Sequence, residues 1–368
     1  MSKIRVLVVD DAVVVRRLVT DLLSADPELE VVGVAANGKL ALAKLEQLAP
    51  DLITLDIEMP EMDGLETLVH LRQRYPKLPV IMLSTLTERG ASATLEALAR
   101  GASDYVTKPA SAGSVALAQA QIRDELIPKI KALFGRATLP RPPILPPRAV
   151  PAPVAPSVPS RPALPSRADI LAIGVSTGGP NALAAVLSLL PADFPMPIVI
   201  VQHMPPVFTR FLAERLNAAC QIEVQEGEEG GALRPGLAWI APGNYHMTLR
   251  REGASVRLVL NQEPPEHSCR PAVDPLFRSA AGLFGAHTLS LVLTGMGHDG
   301  MHGADAIRQL HGQVVAQDEA SSVVWGMPGA VVSAGLADRV LPLDQIADEL
   351  MQRAQVGRPL RSVQPLAR

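Results

Sequence analysis

Short runs of apolar, largely β-branched residues alternate along the chain with longer amphipathic stretches. In the first part of the chain, the apolar runs predict five strands, at residues 4–9, 31–35, 51–55, 79–83 and 104–106. The amphipathic stretches predict five helices, at residues 12–23, 39–48, 65–74, 92–100 and 114–134. Five β-α units in succession predict a parallel sheet with helices on both of its faces.

A second region with the same alternation begins at residue 169. Its apolar runs predict strands at residues 169–175, 197–202, 288–293 and 313–317, and helices are predicted at residues 181–190, 208–219, 274–281 and 304–310. Residues 239–241 and the region 247–260 favour short strands and a hairpin. The second region is therefore predicted to be a doubly wound α/β domain with a mostly parallel sheet and some antiparallel decoration.

The stretch between the two regions is rich in proline. Eleven prolines lie between Pro140 and Pro165. Proline lacks the backbone donor that helices and sheets need, so we expect an extended, semi-rigid linker, with a proline-rich docking motif as the alternative. The predicted organisation is an N-terminal domain at 1–138, a linker at 139–167 and a second domain at 168–355.

Composition narrows the class of protein. Hydrophobic residues make up 48% of the chain and aromatic residues 3%, which predicts aliphatic cores. The net charge of −3 gives no electrostatic case for nucleic acid or an anionic membrane surface. No apolar run is long enough to span a bilayer or to serve as a signal peptide, and the two cysteines predict no disulfide framework. We expect a cytoplasmic protein that is not inserted in a membrane.

Polar side chains follow the predicted strands of the first domain. Asp10 and Asp11 end the first strand, Asp56 the third, Ser84 the fourth and Lys108 the fifth. The carboxyl ends of parallel strands meet at one edge, so these side chains should share a crevice. Carboxylates this close favour Mg²⁺, and an Asp beside it can accept a phosphoryl group. For a single Asp after a strand, a helix N-cap remains the alternative.

These residues and their neighbours resemble a two-component receiver domain over about residues 3–125. The motifs that carry the resemblance are Asp10-Asp11, Asp56 with Met59-Pro60 and Asp63-Gly64, Ser84, and Lys108-Pro109.

The resemblance implies a flavodoxin-like fold in which Asp56 is phosphorylated by a histidine kinase. It implies that Asp10, Asp11 and Asp56 hold magnesium. It also implies a cis peptide before Pro109, and switch roles for Ser84, Tyr105 and Lys108.

In the second domain, a Gly-rich turn around Ser176 joins a predicted strand to a predicted helix. The sequence Gly174-Val175-Ser176-Thr177-Gly178 has the G-x-S-x-G spacing of a nucleophile elbow. A phosphate-binding glycine loop would look much the same, so this motif alone leaves both interpretations open.

Two further strand ends favour nucleophilic catalysis. His203 follows the strand at 197–202, and Asp299 lies in the Gly-rich loop after the strand at 288–293. A serine needs a base, and a carboxylate orients that base best, so Ser176, His203 and Asp299 form a candidate triad. The order Ser, His, Asp differs from that of α/β-hydrolases and implies another fold. Backbone N–H groups near Thr177 and Met296 are candidates for an oxyanion hole.

Other residues compete for these roles. His298 is a rival base, but adjacent side chains usually diverge. Asp305 and Asp318 are rival acids, although neither closes a Gly-rich loop. His298, His302 and Asp299 also suggest a metal site without firm ligand spacing. Surface or loop positions are expected for the remaining histidines of this domain, His246, His267, His287 and His311.

The second domain resembles the catalytic domain of the chemotaxis protein-glutamate methylesterase/protein-glutamine glutaminase (CheB) family. The motifs that carry the resemblance are Ser176-Thr177-Gly178-Gly179, Gln202-His203-Met204-Pro205, Ile240-Ala241-Pro242-Gly243, Arg270-Pro271 with Val273-Asp274, Thr294-Gly295-Met296-Gly297 with Asp299-Gly300, and Gln317-Asp318-Glu319-Ala320-Ser321 with Gly326-Met327-Pro328.

This resemblance implies phosphorylation-activated hydrolysis of glutamate methyl esters, and deamidation of glutamine, on the cytoplasmic helices of chemoreceptors. Ser176 would be the nucleophile, His203 the base, Asp299 the orienting acid, and Met296 would supply an oxyanion-hole amide. The expected partners are methylated chemoreceptors and the chemotaxis histidine kinase, with no cofactor for hydrolysis and a monomeric enzyme.

The sequence also argues against two other classes of protein. A non-catalytic response regulator that acts by phosphorylation-dependent binding would not need an intact Ser-His-Asp set. A DNA-binding regulator would need a basic helix-turn-helix after the receiver, and the sequence shows none.

Overall fold

The computed structural model describes residues 2–108, 115–135 and 167–358. The predicted linker at 139–167 therefore lies, except for Arg167, outside the described residues. The peptide before Pro109 lies outside them as well.

The N-terminal domain is a five-stranded parallel sheet in the order β2-β1-β3-β4-β5. The strands are β1 Ile4–Val9, β2 Leu29–Ala35, β3 Leu52–Asp56, β4 Val80–Ser84 and β5 Asp104–Thr107. The helices are α1 Val13–Ser24, α2 Gly38–Leu48, α3 Gly64–Arg74, α4 Glu88–Ala99 and α5 Val115–Leu133. The predicted α/β fold is confirmed, and most element bounds differ from the prediction by one or two residues.

Alternation along the strands decides which helices cover each face. In β1, Val6 and Val8 pack in one cluster with residues of α1 and α5. Leu7 and Val9 point to the opposite face, in a cluster that holds residues of α2, α3 and α4. Strands β1, β3 and β4 are buried on both faces. Polar side chains at their carboxyl ends therefore gather in a crevice at the edge of the sheet.

The C-terminal domain contains a seven-stranded sheet in the order β14-β13-β12-β6-β7-β9-β8, in which all pairs are parallel. Its strands are β6 Ile170–Val175, β7 Ile198–Gln202, β8 Glu223–Glu226, β9 Leu237–Ile240, β12 Thr288–Val292, β13 Gln313–Gln317 and β14 Arg339–Leu341. A separate antiparallel hairpin is formed by β10 His246–Glu252 and β11 Ser255–Asn261. The second parallel α/β domain and its antiparallel decoration are thus confirmed.

Helices cover both faces of the larger sheet. They are α6 Gly179–Leu187, α7 Phe208–Ala219, α8 Val273–Phe284, α9 Met301–Gln309, α10 Met327–Ser333 and α11 Leu343–Gln355. Residues of α6, α7 and α11 pack with Ile198 and Ile200 of β7, whereas residues of α8, α9 and α10 pack with Val199 and Val201. Ile198 and Ile200 belong to the same apolar cluster as Leu7 of the N-terminal sheet, so the two domains share one continuous core.

Candidate active site and phosphorylation site

Three neighbouring strands bring the candidate triad to one edge of the larger sheet. Strand β6 lies between β7 and β12 in the sheet. Ser176 follows β6 directly, His203 follows β7 directly, and Asp299 lies in the loop after β12. All three residues line one cleft. Strand order reverses around β6, and this is where open α/β sheets place their ligands.

Asp299 is fixed as a buried carboxylate. Its Oδ2 accepts hydrogen bonds from the Val273 N–H at 2.6 Å and from His203 Nε2 at 2.7 Å. Its Oδ1 accepts the N–H groups of Asp274 and Gly300 at 3.0 and 2.8 Å. Burial alone would raise the pKa of Asp299, but His203 and these N–H donors outweigh it and hold the pKa below its usual value. The carboxylate is therefore ionised and fully hydrogen-bonded.

The contact with Asp299 decides which nitrogen of His203 is left for chemistry. Because Nε2 faces the carboxylate, Nδ1 is the nitrogen available to a nucleophile. The sulfur of Cys269 also lies beside this ring. Burial would lower the pKa of His203, but Cys269 and Asp299 more than reverse this and raise it to about 10.

The loop that carries Ser176 depends on glycine. A Cβ on Gly295 would lie 2.8 Å from the Ser176 Cβ, and Gly178 has φ +78°, so neither site accepts a larger residue without strain. The Ser176 N–H bonds to Thr294 O at 3.0 Å, which ties the turn to the loop after β12. Ser176 and His203 line the same cleft, although no hydrogen bond joins their side chains in the described part of the chain.

The two amides predicted for an oxyanion hole also line the cleft, at Thr177 and Met296. Among residues 2–108, 115–135 and 167–358, neither N–H donates a backbone hydrogen bond. Both are therefore free to bind an oxyanion beside Ser176.

The acidic residues of the first domain meet as the sequence predicts. Oxygens of Asp10, Asp11 and Asp56 all lie within 4.8 Å of one another. Lys108 Nζ lies 2.8 Å from both Asp10 Oδ2 and Asp56 Oδ1. Burial raises the pKa of Asp56, Asp10 and Asp11 add to this, and Lys108 opposes it, so that the pKa is about 6. Ser84 lies on the wall of the same pocket.

Tyr105 lies in the contact between the two domains. Its ring stacks on Phe208 of α7, with centroids 5.0 Å apart and planes inclined by 6°. Tyr105 is 6% exposed, so most of its surface is buried. The three predicted switch residues therefore lie in two places. Ser84 and Lys108 line the acidic pocket, whereas Tyr105 contacts the second domain.

Helix α4 makes further contacts between the domains. Arg215 donates to Leu95 O, and Asn181 Nδ2 donates to Leu98 O at 2.8 Å. Arg210 pairs with Glu88. Residues of the first domain, among them Leu86, Tyr105 and Glu125, line the same cleft as Ser176. The first domain thus forms one wall of the candidate active site.

Several residues at the site were not anticipated from the sequence. Cys269 lies beside His203, and His267 and Asp274 lie beside Asp299. His246 was expected at the surface or in a loop, and this was wrong, because it lies in strand β10. It is 1% exposed, with Nδ1 accepting the Ala272 N–H and Nε2 close to Pro264 O.

Comparison with known proteins gives matches to both domains. Residues 171–350 match the family described as CheB methylesterase, and residues 6–118 match the response regulator receiver domain. A protein-glutamate methylesterase/protein-glutamine glutaminase of Trichodesmium erythraeum is 54% identical, over 96% of this chain and 99% of its own. One from a Nocardioides species is also 54% identical, over 98% of each chain.

A solved structure also resembles the second domain. The catalytic domain of Thermotoga maritima CheB methylesterase is 42% identical, with a TM-score of 0.50, over 50% of this chain and 98% of its own. No helix in the described ranges is both long and apolar enough to cross a membrane.

Proposed function

Since the chain belongs to the protein-glutamate methylesterase/protein-glutamine glutaminase family, we propose that Ser176, His203 and Asp299 form its catalytic triad. The protein is a phosphorylation-regulated methylesterase of chemotaxis, with a receiver that takes phosphate from a histidine kinase and with chemoreceptors as substrates. The observation that carries the assignment of residues is the hydrogen bond between His203 and the buried Asp299, at the strand edge where Ser176 also lies.

In the proposed reaction, Ser176 Oγ attacks the carbonyl of a glutamate methyl ester on a receptor helix. His203 accepts the Ser176 proton at Nδ1 while Nε2 stays on Asp299. The N–H groups of Thr177 and Met296 bind the oxyanion. Methanol leaves with a proton returned by the imidazolium, and water then hydrolyses the acyl-enzyme to free the glutamate carboxylate. A glutamine side chain would react in the same way and release ammonia.

In the receiver, Asp56 is the proposed phosphorylation site. The oxygens of Asp10, Asp11 and Asp56 fit a magnesium ion, because they are close together and hard cations prefer carboxylate ligands. Magnesium, when bound, would offset the negative charge of these carboxylates and of the phosphoryl group. Lys108, within 2.8 Å of Asp56, would form an ion pair with the transferred phosphoryl group.

The proposed organisation is a receiver at 1–138, a linker at 139–167 and a catalytic domain at 168–355, acting as a monomer in the cytoplasm, where the receptor helices lie. In the unphosphorylated state the receiver would restrict access of a receptor helix to Ser176. This is supported by the receiver residues that line the cleft. Phosphorylation of Asp56 would rearrange Ser84 and Tyr105 and weaken the contact with α7.

Removing the receiver is expected to raise basal hydrolysis. A fragment that begins at Arg167 should release methanol from methylated receptor membranes about 5- to 150-fold faster than the unphosphorylated full chain, the range of a typical coupling energy. The full chain should approach this rate when a phosphodonor and magnesium are added, and Asp56→Asn should not.

A pair of arginine variants in the full chain tests the contact itself. Arg215→Ala removes the bond to the α4 carbonyl and should raise basal hydrolysis. Arg250→Ala changes an exposed arginine of the β10–β11 hairpin and should leave it unchanged. Equal basal rates for the fragment and the full chain would show that the receiver does not restrict the site.

Hydrolysis should rise with pH because His203 accepts a proton only when it is neutral. Its pKa is raised above the usual 6.5, so most of the imidazole is protonated near neutral pH and becomes active as the pH rises. The ascending limb of kcat/KM against pH should therefore lie above the ordinary histidine range.

Cysteine variants test the cause of that shift. Cys269→Ala removes a group that raises the His203 pKa and should move the limb to lower pH. Cys220→Ala, at the free cysteine that ends α7, should leave it in place. The rate measured with Ser176→Ala gives the non-enzymatic hydrolysis of the ester at high pH and is subtracted. If the ascending limb of kcat/KM lay at the same pH in Cys269→Ala as in the unaltered chain, Cys269 would not be the cause of the raised pKa.

A further inference from the structure

The two amides proposed for the oxyanion hole belong to two different loops. The Thr177 N–H lies in the turn between β6 and α6, and the Met296 N–H lies in the loop after β12. Both amides must face the same oxygen, so the distance between the two loops has to be fixed. A residue that joins these loops bears directly on the rate of the proposed hydrolysis.

Thr294 joins the two loops through its backbone. Its carbonyl oxygen accepts the Ser176 N–H at 3.0 Å, and its own N–H donates to Gln317 Oε1 at 2.8 Å. Thr294 is 1% exposed, so both bonds are shielded from water. The backbone of this residue thus ties the turn of the nucleophile to the loop that carries Met296.

The hydroxyl of Thr294 makes a second connection. Its Oγ1 lies 2.9 Å from Thr177 O and 3.2 Å from Val324 O, and it accepts the Val324 N–H at 3.0 Å. A hydroxyl has one proton, and Val324 O already accepts the Gly295 N–H, so the proton goes to Thr177 O. The hydroxyl therefore bridges the carbonyl of Thr177 and the amide of Val324.

The segment 323–326 is the third part of this arrangement. All four of its residues line the cleft. The Gly326 N–H donates to Gly295 O at 3.0 Å, which holds the segment against the loop after β12. A Cβ on Gly178 would lie 2.6 Å from Val323 Cγ2, so the segment also packs closely on the turn that carries Ser176. Turn, loop and segment meet at the hydroxyl of one buried side chain.

We propose that Thr294 is a positioning residue for the hydrolysis, and that its hydroxyl keeps the Thr177 and Met296 amides aimed at one oxyanion. This role rests on the proposed function. The side chain is buried, so it acts through Thr177 and not on the substrate itself. The oxyanion forms only during the reaction, so a misplaced amide should lower kcat and leave KM nearly unchanged.

Two substitutions at Thr294 separate the hydroxyl from the space that the side chain fills. Thr294→Val keeps the shape and removes the hydroxyl, whereas Thr294→Ser keeps the hydroxyl. In the full chain, Thr294→Val should lower kcat for methanol release from methylated receptor membranes about tenfold to hundredfold, with KM changed less than about twofold. The loss should be smaller than that from deleting an oxyanion donor, because both amides are still present. Thr294→Ser should keep most of kcat.

Thr288→Val is the matched control, because it removes a buried hydroxyl at the start of β12, the end away from the cleft. Thr288 is 0% exposed, and its Oγ1 donates to Ala280 O at 3.2 Å. Both valine variants should lower the Tm, but only Thr294→Val should lower kcat. Equal kcat values for the two valine variants, or a Thr294→Ser as slow as Thr294→Val, would overturn the positioning role.

Amide hydrogen exchange tests the bridge without reference to activity. The Val324 N–H loses its acceptor in Thr294→Val, so peptides that contain segment 323–326 should exchange about two- to tenfold faster in that variant. The unaltered chain, Thr294→Ser and Thr288→Val should exchange alike. Equal exchange in all four proteins would overturn the bridge.

The two measurements also separate this inference from the proposed function. If the unaltered chain released no methanol but exchange rose in Thr294→Val alone, the proposed function would be refuted, and the positioning role with it, while the hydroxyl bridge would stand. If the unaltered chain released methanol and Thr294→Val matched it in kcat, only the positioning role would be refuted.

Discussion

Replacing Ser176 by alanine is expected to lower the release of methanol from methylated chemoreceptor membranes at least about a thousandfold. The Oγ atom forms the acyl-enzyme, so its loss removes the covalent step of the reaction. The cleft and its backbone amides should still make hydrolysis somewhat faster than the uncatalysed reaction in water, as in other serine hydrolases that lose their nucleophile. The measurement compares initial rates with a phosphodonor and magnesium present.

Ser322→Ala is the matched control for this experiment. Ser322 lines the same cleft, but its Oγ donates to Asp318 O at 2.6 Å and is not placed at a strand end. We expect its rate to stay within about twofold of the unaltered chain, because most substitutions outside the reacting groups are mild. If Ser176→Ala retained full activity, another residue would be the nucleophile. If the unaltered chain released no methanol, a binding role would be favoured.

Replacing Asp299 by asparagine should lower kcat by about 10⁴-fold, by comparison with the corresponding change in a serine protease triad. The physical reason is specific to this site. Both carboxylate oxygens only accept hydrogen bonds. Oδ2 accepts from the Val273 N–H and from the His203 ring, and Oδ1 accepts from two further backbone N–H groups. The NH₂ group of an asparagine would face hydrogen-bond donors in either orientation. At the Oδ2 position it would repel the imidazole N–H, and at the Oδ1 position it would leave two buried backbone N–H groups without an acceptor.

The control is Asp305→Asn, since Asp305 is exposed on α9 and bonds only to Gln309 at 2.8 Å among the described residues. Its kcat should be unchanged. The Tm of both variants is measured in parallel, and that of Asp299→Asn should fall because N–H bonds at the start of α8 are lost. A normal kcat in Asp299→Asn would show that His203 is oriented by another group.

The strands that the sequence predicted well are those in the middle of the two sheets. They are buried on both faces, so their near-continuous apolar runs show in the sequence. The short edge strands β8 and β14 were not predicted. Glu223–Glu226 is polar and Arg339–Leu341 has three residues, so neither carries a recognisable pattern. The helix Leu343–Gln355 was also not assigned, although its buried residues follow a helical period.

The site was anticipated where residues follow strand ends and missed where they come from longer loops. Ser176 and His203 directly follow neighbouring parallel strands, so strand order alone brings them to one edge. Cys269 and His267 belong to the segment between β11 and α8, and both line the cleft. No strand or helix pattern in the sequence predicts where a segment of this kind lies. The stacking of Tyr105 on Phe208 joins residues from the two domains on either side of the linker. Local sequence patterns could not predict this contact either.

The contact of Tyr105 with Phe208 also has a consequence for the receiver itself. The two equilibria, domain contact and phosphorylation of Asp56, are linked. If phosphorylation weakens the contact by some factor, the contact must disfavour phosphorylation by the same factor. The catalytic domain should therefore compete with the phosphoryl group for the receiver. The isolated receiver domain should therefore become phosphorylated at a lower phosphodonor concentration than the full chain. A receptor helix that separates the two domains on binding should likewise favour phosphorylation of Asp56.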